Sequence, residues 1–169
     1  MWRQGEQRRR DRKVFEEELD DFVPGRILDF HIHVMNAGVT TADDPYICGG
    51  HPLAKFDYED LRADLAEAFP GRQVYGVCFG TPNPRRDWQT NNRYLAEGCD
   101  HVRFFPLRLF NPRVDTPSSL RADLEAGRFL GLKPYPDFVG KADVNEVEIP
   151  EMLPAWCMAI PDALGLIFM

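Results

Sequence analysis

Five short apolar runs recur along this chain, and stretches with helical periodicity separate them. This alternation is typical of βαβ units and predicts an α/β fold with a parallel sheet. No run approaches the length of about 18 apolar residues that a membrane span needs, so we expect no membrane association. The runs occupy residues 26–34, 73–79, 102–110, 129–133 and 164–169.

The stretches between these runs predict amphipathic helices. Pro154 and Pro161 restrict a helix before the last run to the short piece between them. Residues 14–23 predict a short acidic helix that leads into the first strand. The bounding residues are Asp57 and Pro70-Gly71 for the first crossover helix, Trp88 and Gly98 for the second, and Thr116 and Gly127 for the third.

The net charge of −7 is unevenly distributed. Six basic and two acidic side chains give residues 1–13 a charge of +4, so the remainder carries −11. An acidic body repels nucleic acid, and we expect no nucleic-acid partner. The basic start predicts a solvated, partly disordered arm, with an RNA-binding or membrane-surface arm as the alternative. We therefore divide the chain into a charged lead, 1–25, and an α/β domain, 26–169.

The four cysteines, Cys48, Cys78, Cys99 and Cys157, are widely spaced and form no CxxC pair. A 169-residue domain buries enough apolar surface to fold without disulfides. We therefore expect reduced thiols and a cytoplasmic location. No apolar stretch follows the basic start, which excludes a secretory signal there.

The sharpest motif is Asp29-Phe-His31-Ile-His33, at the end of the first apolar run. Alternate side chains of a strand share a face, so Asp29, His31 and His33 are predicted to point one way and Phe30 and Ile32 the other. Two imidazoles at this spacing can converge on one divalent ion, and Asp29 can orient one of them. The motif predicts a metal site at His31 and His33; two half-exposed histidines on an ordinary strand are the alternative.

The ends of the strands supply further candidate residues. In parallel α/β sheets the site lies at the carboxyl ends of the strands, where this sequence places long loops at 35–56, 80–87 and 134–149. Arginines here can bind an anionic substrate through paired hydrogen bonds, or can pair with local carboxylates instead. Loop carboxylates can reach a metal or can simply form turns. The candidates are Arg85, Arg86 and Arg108 for substrate, and His51, Asp43 and Asp44 for metal or substrate.

The Asp29-to-His33 motif resembles the opening motif of the amidohydrolase superfamily. Later segments resemble the second to fourth βα units of amidohydrolase family 2, metal-dependent hydrolases and decarboxylases that include aminocarboxymuconate-semialdehyde decarboxylase. The resemblance covers residues 26–169, and its one specific motif is HxH, which deoxyribonuclease-like and phosphoesterase-like hydrolases also have. The segments are residues 92–97, 102–110, 120–127 and 129–133.

The resemblance implies the first four to five βα units of a TIM (β/α)8 barrel, with a divalent metal, most often zinc, at its mouth. His31 and His33 match the first two ligands of the family. Lys133 ends the fourth strand, where some members carbamylate a lysine as a metal ligand; a lysine that reaches a substrate or surface carboxylate is the alternative. The implied activity is hydrolysis or decarboxylation of a small carboxylated or cyclic substrate by metal-activated water.

The later histidine ligands of the family and its catalytic aspartate have no counterpart in this sequence. His101 precedes the third strand and is therefore predicted at the opposite end of the sheet. We expect a truncated barrel, with the general-base aspartate beyond Met169, that binds metal weakly and has little turnover alone. The alternatives are a phosphoesterase-like HxH hydrolase and a non-catalytic half-barrel that binds a small molecule or assembles. Unpaired sheet edges predict a homo-oligomer.

Overall fold

The fold is organised around one parallel sheet of five strands, which confirms the α/β prediction. A computed structural model describes residues 5–41, 43–126 and 129–169. The strands are β1 (Arg26–His33), β2 (Tyr46–Cys48), β3 (His51–Leu53), β4 (Gln73–Phe79), β5 (Phe104–Phe110), β6 (Gly131–Pro134) and β7 (Ile167–Phe168). The main sheet has the order β1-β4-β5-β6-β7, and it curls into a half-barrel.

Helices connect successive strands of the main sheet and confirm the three predicted crossover helices. The predicted end of the third, Gly127, lies outside the described residues. Within those residues no helix combines the length and apolarity needed to cross a membrane. The helices are α1 (Gly5–Val14), a π-helical turn (Phe15–Leu19), α2 (Tyr58–Ala68), α3 (Trp88–Gly98), α4 (Pro117–Ala126), α5 (Ile149–Met152) and α6 (Ala155–Leu164), with 3₁₀ turns at Pro136–Phe138 and Val144–Glu146.

The two faces of the sheet are covered differently. On one face, α2 and α3 pack on β1, β4 and β5, and α4 and α6 pack on β5 and β6. The opposite, concave face carries a smaller apolar cluster around Val77, Phe79 and Leu107. Near the edge of the sheet Leu28 remains 57% exposed. The sheet is therefore accessible along its β1 edge.

The start of the chain is more ordered than predicted. Residues 5–19 are helical, whereas we expected a partly disordered arm; Arg3 of that arm lies outside the described residues. Phe15 is 2% exposed and packs edge-on against Phe69, with ring centroids 6.1 Å apart. Arg8 approaches Glu67 of α2 to 3.5 Å. One buried aromatic ring and an ion pair thus hold the basic segment against the domain.

The loop after β1 contains an antiparallel hairpin that the sequence analysis did not predict. β2 and β3 pair through Tyr46↔Leu53 and Cys48↔His51. Gly49 and Gly50 form the two-residue turn with φ of 55° and 81°, angles that favour glycine. Part of the loop that we expected to be irregular is therefore a hairpin, and its Tyr46 lies near His33 at the end of β1.

The prediction that Pro161 ends the last helix is wrong, because α6 continues through it to Leu164. A proline in a helix removes one backbone hydrogen bond. In α6 that loss is offset by the burial of Cys157, Ile160 and Pro161. The helix ends instead at Gly165, which has a φ of 67°.

Candidate functional site

His31 and His33 lie together at the carboxyl end of β1. Their ring centroids are 5.3 Å apart, and both rings contact the edge or face of Phe79, at 4.8 and 4.9 Å between centroids. With metal–nitrogen bonds of about 2.0 Å and a tetrahedral angle, two imidazoles that share one ion have ring centres about 5 Å apart. The spacing of this histidine pair therefore suits a shared divalent ion.

A backbone contact determines which nitrogen of His33 is free. His33 Nδ1 lies 2.9 Å from the carbonyl oxygen of Gly80. A carbonyl only accepts hydrogen bonds, so Nδ1 carries the proton and Nε2 keeps its lone pair. A Cβ at position 80 would lie 2.5 Å from Asn91 Nδ2, so the close packing of α3 beside this carbonyl favours glycine. The arrangement is the usual one for a metal-binding imidazole.

The surroundings favour neutral imidazoles. Burial lowers the pKa of His33, and the charges of His31 and Lys133 lower it further, against the opposing effect of the Gly80 carbonyl. Burial and Lys133 also lower the pKa of His31, and Asp29 opposes them. Neutral imidazole is the form that binds a metal ion.

A β-bulge changes the position predicted for Asp29. Asp29 pairs in register with Gly76 and Ile32 with Cys78, so three steps along β1 match two along β4. Residues two apart on β4 share a face, which places Asp29 and Ile32 on the helix side. Asp29 therefore does not alternate with the histidine pair as predicted, although it lines the same cavity at the edge of β1. Its Oδ1 instead accepts a hydrogen bond from His31 N at 2.9 Å.

Lys133 reaches the same aromatic ring as the histidine pair. Its Nζ lies 5.1 Å from the Phe79 centroid and 4.9 Å from that of Tyr135. Burial lowers the pKa of Lys133. The structure thus brings together three residues predicted for the site, His31, His33 and Lys133, around Phe79. Carbamylation of this lysine stays a prediction.

A cavity of about 240 Å³ adjoins the histidine pair along the open edge of β1. The hairpin forms one wall, and Tyr46 approaches His33 with ring centroids 6.3 Å apart. Residues of α2 form the opposite wall. The walls include Tyr46, Cys48 and Leu53 from the hairpin and Leu61, Asp64 and Leu65 from α2. The pair therefore borders a space that can admit a small molecule.

Arg86 joins the loops that follow β1 and β4, and its guanidinium is already hydrogen-bonded within the protein. Its Nε and Nη2 donate hydrogen bonds to both carboxylate oxygens of Asp44, at 3.1 and 3.2 Å, and Nη2 also reaches the carbonyl of Pro45. This places Arg86 and Asp44 in the structural pairing that was the alternative to ligand binding. Arg85 is exposed, and it lines a small cavity with Asp43 outside the histidine site.

Arg108 lies on the helix side of the sheet. The residue is 3% exposed, and its guanidinium binds both carboxylate oxygens of Asp115, at 2.7 and 3.0 Å, and Asp123 at 2.7 Å. The expectation that Arg108 holds substrate beside the histidines is therefore corrected, because the sheet separates the two. The alternation that places Leu107 and Leu109 on the concave face turns Arg108 away from it.

The remaining histidines lie apart from the pair. His51 lines a cavity with α1 residues, including Glu6 and Arg10. His101 precedes β5, with a φ of 51°, at the amino-terminal end of the sheet as predicted. In the described ranges no group of three or more His, Cys, Asp or Glu side chains is arranged to hold a metal ion. The pair thus offers two imidazole ligands and needs others.

Sequence reasoning missed three residues that shape the site: Phe79, Asn91 and Tyr135. Phe79 was assigned only to a strand, yet its ring lies between the histidine pair and Lys133. Tyr135 is two residues after Lys133, and an i, i+2 pattern from Lys133 would have found it. Asn91 donates to the Val34 carbonyl at 2.9 Å, a role that a polar residue on the buried face of a helix could have suggested.

The fold and the site together define an α/β half-barrel with paired imidazoles, an ammonium group and aromatic rings at the carboxyl ends of its strands. Comparisons with protein-family models, curated proteins and solved structures find no match for this chain.

Proposed function

We propose that this chain is a metal-dependent hydrolase or decarboxylase of the amidohydrolase type, built on a partial TIM barrel. The observation that carries this proposal is the spacing of His31 and His33, 5.3 Å between ring centroids. The contact from His33 Nδ1 to the Gly80 carbonyl supports it, since it leaves Nε2 free. The resemblance of the Asp29-to-His33 motif to that superfamily gives the reaction class.

The described residues explain the binding of a metal ion better than they explain proton transfer. A bound divalent ion, most simply zinc, would supply a Lewis acid that polarises a substrate carbonyl and activates water. His31 and His33 would hold it, and Tyr46 would cover it from the hairpin. Asp29 lines the same cavity, but its Oδ1 already accepts a hydrogen bond from His31 N, so we assign it no proton transfer. Two protein ligands rarely make a tight site, and we expect weak binding and little turnover from these residues alone.

Zinc titration against a chromophoric chelator tests the proposal. We expect the wild-type chain to bind one zinc ion, and His31→Gln or His33→Gln to lower its affinity at least about tenfold, the loss that even outer contacts of metal sites can cause. His51→Gln is the matched control, because it removes an imidazole from a separate cavity. Binding that survives the double substitution of His31 and His33, or that disappears in His51→Gln, would contradict the proposal.

Self-association is a second candidate function, favoured by the two unpaired edges of the sheet. β1 and β7 end the strand order, and next to the first edge Leu28 and Phe30 are 57% and 46% exposed. Exposed apolar edge strands pair readily with another chain. We also propose a cytoplasmic location, since all four cysteines are free thiols.

A further inference from the structure

Lys133 presents an ammonium group without a counter-ion on the concave face. Its Nζ lies over the rings of Phe79 and Tyr135, at 5.1 and 4.9 Å from their centroids. Across the described parts of the chain, no carboxylate or carbonyl oxygen bonds to this nitrogen. Aromatic faces stabilise the cation but leave its hydrogen-bond donors unused. An ammonium group in these surroundings can bind an anion.

Tyr135 adds an unused hydroxyl on the same face. Its backbone is extended, with φ −141° and ψ 142°, so its side chain shares a face with that of Lys133. Its Oη is buried and has no hydrogen-bond partner within the described residues. Burial, with Asp137 and Tyr46 nearby, raises the pKa of Tyr135 to about 12, and the hydroxyl therefore stays a donor at neutral pH. A buried donor without a partner is unfavourable until a ligand or water satisfies it.

We propose that Lys133 and Tyr135 form a binding site for the carboxylate of a small molecule beside the histidine pair. Lys133 would neutralise the charge and Tyr135 would donate a hydrogen bond to one oxygen. That the bound molecule is a substrate rests on the function proposed above. The anion site itself rests only on the unpaired ammonium, the unpartnered hydroxyl and the rings.

The composition of the site favours a carboxylate over a phosphate. One ammonium and one hydroxyl match a singly charged planar group, whereas phosphate sites usually combine several cationic or backbone donors. The nearby arginines add no charge here, because Arg86 is paired with Asp44 and Arg108 with Asp115 on the other face.

Binding of 4-fluorobenzoate to the metal-free chain, followed by ¹⁹F NMR in the presence of EDTA, tests this site. We expect the wild type to bind 4-fluorobenzoate at least about tenfold more tightly than neutral 4-fluorobenzamide, since a charge-assisted bond is lost. Lys133→Met should lower the benzoate affinity about tenfold, and Tyr135→Phe about fivefold. Lys133→Arg, which keeps the charge, should retain binding if Lys133→Met does not fold.

Two controls separate this site from the zinc site. Arg85→Met removes an exposed cation of another loop and should leave benzoate affinity unchanged. The His31→Gln, His33→Gln double variant should lose zinc and keep benzoate. A wild-type chain that binds benzoate but no zinc would refute only the proposed function, and a wild-type chain that binds zinc but no benzoate would refute only this inference.

Three results would overturn the carboxylate site. The first is equal affinity for benzoate and benzamide in the wild type. The second is unchanged benzoate affinity in both Lys133→Met and Tyr135→Phe. The third is displacement of 4-fluorobenzoate by inorganic phosphate at lower concentrations than by unlabelled benzoate, which would assign the site to phosphate.

Discussion

At the scale of single residues, one carboxylate fixes the turn that leads into β5. Asp100 Oδ1 accepts hydrogen bonds from the backbone N–H groups of Val102, Arg103 and Phe104, at 3.0, 2.9 and 3.0 Å. Burial would raise the pKa of Asp100, but these bonds and Arg62 outweigh it and lower the pKa to about 2. The ionised form of Asp100 is therefore the one that the folded chain stabilises.

Asp100→Ala should lower the free energy of unfolding by about 1 to 2 kcal/mol, the usual cost of losing such a capping side chain. Asp100→Asn should cost less, because its amide oxygen can still accept the backbone bonds. Urea denaturation at neutral pH measures both. An alanine variant as stable as the wild type would contradict the prediction.

The same carboxylate predicts the direction of a pH effect. The pKa of Asp100 in the folded chain, about 2, lies below its ordinary value of 3.8, so its contribution is complete above that value and is lost as the pH falls toward 2. The stability advantage of wild type over Asp100→Asn should shrink across this window. Denaturation at several acid pH values checks it, and a constant difference would refute it.

Residue-level prediction was correct in bringing three side chains together, and their role in metal binding stays a prediction. The histidine pair and Lys133 were identified from their residue types and positions in the strands. Asp29 was misplaced because a bulge shifts the alternation by one residue and nothing in the sequence marks it. Arg108 was misjudged because its partner Asp115 becomes adjacent only after the chain folds.

At the scale of elements, α3 is fastened to the sheet by two neighbouring asparagines. Asn91 accepts a bond from Asn36 N at 3.0 Å and donates to the Val34 carbonyl. Asn92 donates to the Leu109 carbonyl and accepts from Leu109 N, both at 3.0 Å. Each amide thus satisfies backbone groups at the end of a strand.

Asn92→Ala should destabilise the chain by about 2 to 4 kcal/mol, because the backbone N–H and carbonyl of buried Leu109 both lose their partner. Gln89→Ala, on the exposed side of the same helix, is the control and should change stability by less than about 0.5 kcal/mol. Urea midpoints measure both variants. Equal stabilities of the two would show that the bridge to Leu109 contributes nothing.

Helices and main strands were predictable from periodicity because each buries one continuous apolar face. The hairpin was not predicted, since β2 and β3 have only three residues each, too few to show a strand pattern. The Gly49-Gly50 pair was the signal for it. The extent of α6 depended on tertiary burial, which offset the cost of Pro161.

At the scale of the whole molecule, the half-barrel has two edges of the same polarity. A two-fold axis parallel to the strands would place β7 of one copy beside β1 of another, with all strands still parallel. Leu28 and Phe30 would then lie at the contact. The proposed self-association is then a two-fold dimer in which β7 of each copy pairs with β1 of the other.

Sedimentation velocity over a range of concentrations should show association of the wild-type chain. Leu28→Lys with Phe30→Lys should abolish it, because charges on an edge strand oppose pairing. Val114→Lys is the control, since Val114 is 54% exposed and follows β5, the middle strand of the sheet. A wild type that stays monomeric at every concentration would refute the edge contact.

The bulge in β1 divides that strand into two independent halves. Ile27 and Ile32 are five positions apart, an odd spacing, yet both pack in the helix-side core. The extra residue between them shifts the alternation of side chains between the two faces by one position. The first half of β1, which anchors the strand, and the second half, which presents the histidines, therefore need not follow one alternating pattern. Substitutions in the anchoring half can therefore accumulate without turning the histidines away from the concave face, and an engineer can vary the two halves separately.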